Sequence, residues 1–313
     1  MRYSLYRLEF TTGLHIGVDR GGQSLDDGRM TIHSDTLFSA MCCECAKRGD
    51  IDRLYGLFSE GKITVSDCLP YKNGDYYFPR PVLHTGKSDR EGRPEARKAL
   101  KSVEYIPVSV FDAFLKDYAK KEVDADRLKY DFGGLISHTR VAVKGQPQPM
   151  PYQVAFWRFA PGCGLYVIVR YEDESSLSFF EEVLNALGLS GIGGKQSSGL
   201  GKFNVVKAPL PDKMEELLED VEADYHMLLG TALPEEEELD EVLSGSWYAT
   251  LRRGGFVRSE TYSVTQLKKR TIYMLAPGSC MKRRFDGGMF DLSDGGTHPV
   301  WRCGKTLFAG VRL

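Results

Sequence analysis

Five glycines fall within eleven residues at 191–201 (GIGGKQSSGLG), between a helix-patterned stretch and a strand-patterned one. Glycine adopts positive φ freely and lets another backbone approach closely, so this segment is built for a path that other residues resist. Successive N–H groups in such a turn can form a concave nest for an anion, with Lys195 and Lys202 adding charge. Ser197 and Ser198 offer hydroxyls to phosphate or ribose oxygens. Gly191, Gly193, Gly194, Gln196, Gly199 and Gly201 complete the candidate site. A P-loop is excluded: Gly194-Lys195 is followed by Gln196, the residue five before Gly194 is Leu189, and a helix rather than a strand precedes the loop. The GxGxxG pattern and its parallel βαβ context are also missing. A plain helix-to-strand connector remains the competing reading, since glycine is common in turns.

The surrounding pattern gives the loop its place. Tyr6, Leu8 and Phe10 alternate with Arg7 and Glu9, a half-buried strand over 2–10. Ser34 is expected to cap a helix of about four turns with Leu37, Phe38, Met41, Cys42 and Cys45 on one face, and Gly49 ends it. KITVSD (62–67) is a short strand, GLYVIVRY (164–171) a strong one, 175–187 a helix stopped by Gly188, and KFNVVK (202–207) a strand. Set apart from a proline-containing insertion at about 80–160, with one helix near 109–120, the order is β-α-β-β-α-β. That is the ferredoxin-like order, shared with RRM domains. Pro209 and Pro211 mark a boundary. Beyond it come an acidic helix near 212–229 and strands at 247–252, 271–275 and 305–312. The expected class is α+β, two tandem ferredoxin-like (RRM-like) domains at 1–208 and 209–313, the second degenerate, with the long insertion in the first.

Charge is unevenly spread. The formal net charge is −2, but residues 212–241 hold 13 of the 43 acids and one of the 41 bases, leaving 40 bases against 30 acids elsewhere. Between Arg252 and Arg284 nine bases face one acid, Glu260. One basic face is implied. No apolar run approaches the roughly 20 residues needed to span a bilayer, and the first ten residues pattern as a strand rather than a signal peptide. A cytoplasmic protein without membrane contact is expected. The seven cysteines form no paired CxxC units, so free thiols are expected and no metal or cofactor.

Four stretches carry a resemblance. GLHIG (13–17) with IHSDTLFSA (32–40), SDCLPY…YYFPRP (66–81), the loop GIGGKQSSGLGKF, and KKRTIYMLAPGS (268–279) with HPVWRCGKTLFAGV (298–311) run in order from end to end. The chain resembles the CRISPR RAMP proteins, and among them subunit four of the type III-A Csm effector complex. The resemblance implies two ferredoxin-like halves and a non-catalytic subunit for antiviral defence that grips the repeat-derived 5′ handle of the crRNA. It implies contacts with the large Cas-ten-type subunit and with backbone subunit three, and a thumb-like hairpin near the first guide–target pairs. The 91–126 segment and the acidic run 235–241 match no motif.

Individual residues then take roles. His33 and Ser34-Asp35-Thr36 sit at a helix start, whose free N–H groups favour phosphate; Asp35 is read as a backbone cap. His15 and His33 are read as hydrogen-bonding or stacking residues. A catalytic His would instead make the chain a metal-independent RNA-processing endoribonuclease of the Cas-six kind. That class carries its glycine-rich loop near the chain end, whereas here 112 residues follow Gly201. The equivalent subunit of a Cmr-type complex is the other alternative. The thumb is expected over Ser137–Trp157, with Arg140 and Lys144 toward RNA and Phe156 and Trp157 in the core. Arg252, Arg253 and Arg258 are expected to grip phosphates. No RNP1 motif is present, so binding is expected through loops and helix ends rather than an open sheet face.

Overall fold

The computed structural model describes residues 2–17, 25–84, 100, 102–142, 150–259 and 261–313. Lys144, at the expected thumb tip, lies outside the described residues.

GLYVIVRY reads as a continuous apolar run rather than an alternating one, which suits a strand buried on both faces. It forms the sheet's central strand, β8 (Cys163–Tyr171). On one edge it pairs with β1 (Arg2–Phe10), which pairs in turn with β9 (Phe203–Ala208). On the other edge it takes β2 (Ile63–Val65) and then β3 (Leu69–Lys72), followed by β4 (Asp75–Pro79) and β5 (Tyr105–Pro107). Every pairing is antiparallel.

Alternation then sorts the side chains. Leu165, Val167 and Val169, with Tyr6 and Leu8, face the helices α1 (Ser34–Ala46), α2 (Ile51–Ser59) and α4 (Glu174–Ser190). Tyr166, Ile168 and Leu5 face the opposite layer. That layer comes from the insertion, through α3 (Phe111–Lys120), and from the second half, through α5 (Asp212–Glu219), β10 (Tyr225–Leu228) and β16 (Phe308–Val311). The molecule is therefore a mixed α+β protein with its main sheet between two layers.

Four expectations about helices change. The acidic helix expected near 212–229 stops at Glu219, and Tyr225–Leu228 is a strand instead. His33, not Ser34, is the residue before α1. A nine-residue helix, α2, follows α1 where none was expected. Gly188 does not stop α4: it lies inside the helix, where a Cβ would stand 2.5 Å from the Phe203 carbonyl oxygen. Its missing side chain lets β9 approach the helix, and the stop falls at Gly191, with φ 88°.

The hairpin is longer at its base than expected: β6 (Gly133–Ala142) pairs with β7 (Met150–Phe159) from Gly133↔Phe159 to Ala142↔Met150. In the second half, β10 lies between β13 (Cys280–Met281) and β16. Two ribbons stand apart, β11 (Thr250–Arg253) with β12 (Ile272–Leu275), and β14 (Met289–Asp291) with β15 (Trp301–Cys303). The acidic run ends in the short helix α6 (Leu239–Leu243), with Glu235–Glu237 exposed.

Candidate nucleic-acid interface

The loop after α4 holds positive φ at Gly191, Gly193, Lys195, Gly199 and Gly201, five of its eleven residues. A Cβ on Gly193 would stand 2.4 Å from the His15 carbonyl oxygen, and one on Gly201 2.0 Å from that of Ile192. The glycines are thus spent partly on packing. Ile192 N–H donates to Gly201 O (2.9 Å), Gly194 N–H to His15 O (2.8 Å) and Gly201 N–H to Gly13 O (2.8 Å). Gly191, Ile192, Leu200 and Gly201 form a buried inner limb, while Ser197, Ser198 and Lys202 are exposed. One 3-10 turn crosses the tip, closed by Ser198 N–H to Lys195 O and Gly199 N–H to Gln196 O. The Gln196 side chain turns inward and donates to Gly191 O. The amides of Lys195, Gln196 and Ser197 make no bond among the described residues. The expected nest therefore narrows from the whole loop to this turn.

The loop does not stand alone. Gly13–Gly17 runs beneath it, and Leu14 exchanges backbone hydrogen bonds of 2.8 and 2.7 Å with Trp157 of β7. His15, buried, donates from Nδ1 to Ala155 O (2.5 Å). Phe156 fills the space where a Gly13 side chain would be. The Lys195 ammonium sits 5.2 Å from the Tyr152 ring centroid on the same strand. Loop, strap and hairpin base thus form one unit. Arg140 lies opposite Tyr152 on β6. His15 serves this unit from inside, and its ring is not presented at the surface.

A second cluster surrounds the start of α1. Between β2 and β3 the register along β8 slips by one residue: Val65 faces Val169, but Leu69 faces Tyr166. Such a bulge re-aims a side chain, here Asp67. Its Oδ1 accepts from the Ser34 amide (2.7 Å) and the Thr231 amide (3.0 Å). Its Oδ2 accepts from His33 Nδ1 (2.6 Å), and Arg29 donates to His33 Nε2 (3.1 Å). Both His33 nitrogens are occupied, and the ring is buried. The Ser34 hydroxyl is also buried, 3.0 Å from that of Thr231. His33 and Ser34 are therefore internal braces in this structure.

Asp35 is corrected as well. It caps nothing; it is fully buried and accepts from Arg253 Nε (2.8 Å) and Nη2 (2.9 Å) and from Arg302 Nη1. Burial alone would raise its pKa, but the two guanidinium groups outweigh burial and hold the carboxyl well below the usual range. Half-buried Lys269 is pushed down to about 7, by burial first and then by Arg302 and Arg253, against the pull of Asp35. Asp67, Thr231 and Arg302 were missed in the sequence, although Asp67 and Arg302 lie inside two of the stretches that carry the resemblance.

The basic segment divides. Arg253 is used inside, and Arg284 donates to His226 Nδ1 and to the Leu218 and Asp220 carbonyls. Arg283 pairs with Glu241, and Arg270 donates to Asp291 O. Arg252, Arg258 and Lys268 are exposed. The residues brought together at the surface are those of the loop tip and hairpin. Arg252 and Arg258 lie elsewhere along the chain's surface, on the β11–β12 ribbon and just beyond it. Among the described residues, no cluster of three or more His, Cys, Asp or Glu is placed to hold a metal, and no helix is long and apolar enough to cross a membrane.

Comparison with known proteins fits this geometry. Residues 221–311 match the family model described as the CRISPR Csm4 C-terminal domain. A Csm4 protein of Mycobacterium tuberculosis (strain ATCC 25618 / H37Rv) is 34% identical over 312 residues, covering 99% of this chain and 98% of that one. One from Streptococcus thermophilus is 28% identical, covering 98% of each. A crystal structure of a Csm3–Csm4 subcomplex of a type III-A CRISPR–Cas interference complex has a similar fold, with TM-score 0.66 at 19% identity, covering 99% of this chain and 100% of that one. A Csm1–Csm4 cassette bound to pppApA gives 0.60 at 20%, covering 100% and 99%. Sequence and fold together define a CRISPR effector protein of mixed α+β architecture. More closely, the chain belongs to the Csm4 family of type III-A systems, which decides against the Cmr-type counterpart.

Proposed function

We propose that this chain is the non-catalytic, cytoplasmic subunit of a type III-A effector that holds the 5′ repeat-derived handle of the crRNA. In this reading it links the large Cas-ten-type subunit to backbone subunit three. The hairpin β6–β7 acts as the thumb beside the first guide–target pairs. Residues 1–208 form a ferredoxin-like domain, read from the strand order β9-β1-β8-β2 with α1 and α4 on one face; 209–313 form its degenerate partner. Csm4 relatives found in structures with Csm3 and with Csm1 support the placement.

The observation that carries the RNA reading is the loop tip. Three consecutive amides, those of Lys195, Gln196 and Ser197, have no partner among the described residues, with exposed Ser198 and Lys202 beside them and the hairpin next to them. Unpaired amides and nearby cations suit a phosphate chain. Against the ribonuclease alternative, His33 has both nitrogens engaged and buried, and a general base must reach the proton it takes.

The test uses assembled particles carrying wild-type chain or Lys195→Glu with Lys202→Glu. The variant particle is expected to retain much less crRNA, and incubation of the full chain with labelled repeat RNA, with or without Mg²⁺, is expected to leave it uncut. Unchanged crRNA content would favour a scaffold that touches only protein. A site-specific cut lost in His33→Ala would establish the ribonuclease.

A further inference from the structure

The β11–β12 ribbon has an anchored inner side and an open outer one. Inward, Met274 is fully buried and Arg253 reaches Asp35. Strand alternation sends the next residue outward: Arg252 is exposed, directly opposite Tyr273, which is 64% exposed. Beyond the strand pair, Phe256 bridges to Lys268, whose ammonium lies 5.4 Å from the ring centroid. Between these two couples sits Gly255, with φ 110° and, among the described residues, nothing within 4 Å of where a Cβ would be. Arg258 follows, exposed. Tyr248, 42% exposed, precedes the ribbon.

We propose that this ribbon is a stacking platform for the bases of single-stranded RNA, with Tyr273 and Phe256 offering ring faces and Arg252, Lys268 and Arg258 holding the flanking phosphates. The inference rests on the RNA-binding reading above and extends it to residues that no motif marked. A large exposed tyrosine opposite an arginine also suits protein interfaces. The sign of the exposed groups chooses between them: Arg252, Arg258 and Lys268 stand at the surface around the two rings, and aromatic rings interleaved with cations are how sequence-tolerant single-strand binders work. The bare glycine between the couples leaves room for the strand to cross the backbone.

Fluorescence anisotropy of the full chain with fluorescein-labelled decamers of uridylate and of adenylate, across a salt series, tests this. Stacking is largely insensitive to salt. Tyr273→Ala is expected to weaken both complexes by about 5- to 150-fold with the salt slope unchanged. Tyr273→Phe, which keeps the ring, is expected to restore binding. Arg252→Ala is expected to shrink the slope by about 0.7. If Tyr273→Ala binds like wild type while Lys195→Glu still weakens binding, the platform is wrong and the RNA reading stands. If Tyr273→Phe fails as badly as Tyr273→Ala, the hydroxyl rather than the ring matters and stacking is wrong. If the wild-type chain binds neither decamer, both readings fall together.

Discussion

The start of α1 and the tip of the glycine-rich loop both present backbone amides, and they do opposite things with them. At α1 the Ser34 amide is taken by Asp67, and the neighbouring Asp35 draws Arg253 and Arg302 out of solvent. At the loop the amides of Lys195, Gln196 and Ser197 have no partner among the described residues, and the nearby cation rests on an aromatic ring. One region uses its polar groups to hold two halves of the chain together. The other keeps them available. Two similar helix or turn starts therefore differ in role because at one of them carboxylates take up the amide and the cations, and at the other, among the described residues, none does.

The largest effect is expected from Asp35→Asn. It leaves buried Arg302 and part-buried Arg253 without their carboxylate, and breaking a buried pair in this way costs about 3–5 kcal/mol. Urea unfolding checks it; a loss below about 1 kcal/mol would mean that the cluster is wetter than its burial indicates. Next comes a contrast between neighbours. Arg253→Ala is expected to destabilise by about 3 kcal/mol, whereas exposed Arg252→Ala is expected to stay within about 0.5 kcal/mol. Equal losses for the two would erase the distinction between the inner and outer sides of the ribbon.

Lys269 sharpens the comparison through pH. Its folded pKa is about 7, below the ordinary 10.5. Between these values the unfolded chain binds the proton and the folded chain does not, so this group's contribution makes stability rise with pH across that window. Lys269→Met removes the contribution. The variant is expected to be more stable than wild type at pH 7, with the gap closing toward pH 10, as read by paired thermal melts. A gap independent of pH would assign the effect to packing.

The sequence carried the first half of the fold because its signals are local. Tyr6, Leu8 and Phe10 alternate, and Leu165–Val169 in GLYVIVRY is an unbroken apolar run, so strand identity follows from neighbours in the chain. Gly188 misled for the converse reason: locally it reads as a stop, but its role is to admit Phe203 from another element. The ionic junction left even less trace. Arg253 and Arg302 reach Asp35 across 218 and 267 residues of sequence, and no periodicity announces such a pairing. Adjacent Arg252 and Arg253 look equivalent until strand alternation separates them. The loop was legible as a site, but not the division of its glycines between packing and an open tip.

Gly193→Val tests that division, because Gly193 belongs to the packed part. Its φ of 91° and the His15 carbonyl oxygen, 2.4 Å from where a Cβ would stand, both oppose a branched side chain, and enforcing such backbone costs about 1–3 kcal/mol. Hydrogen exchange at the Gly194 amide, which donates to His15 O, is expected to accelerate, and the change should spread to the hairpin base through Ala155. Lys195→Met is expected to give the smallest effect. It removes a cation from the Tyr152 ring, a contact worth about 0.5–1 kcal/mol, while keeping an unbranched side chain at a residue with φ 57°. Stability should therefore barely move, while RNA affinity falls with a salt slope reduced by about 0.7. If instead the melting temperature drops as far as in Gly193→Val, Lys195 is a brace between loop and hairpin, and the tip belongs with the start of α1 among the regions that have spent their charges on the fold.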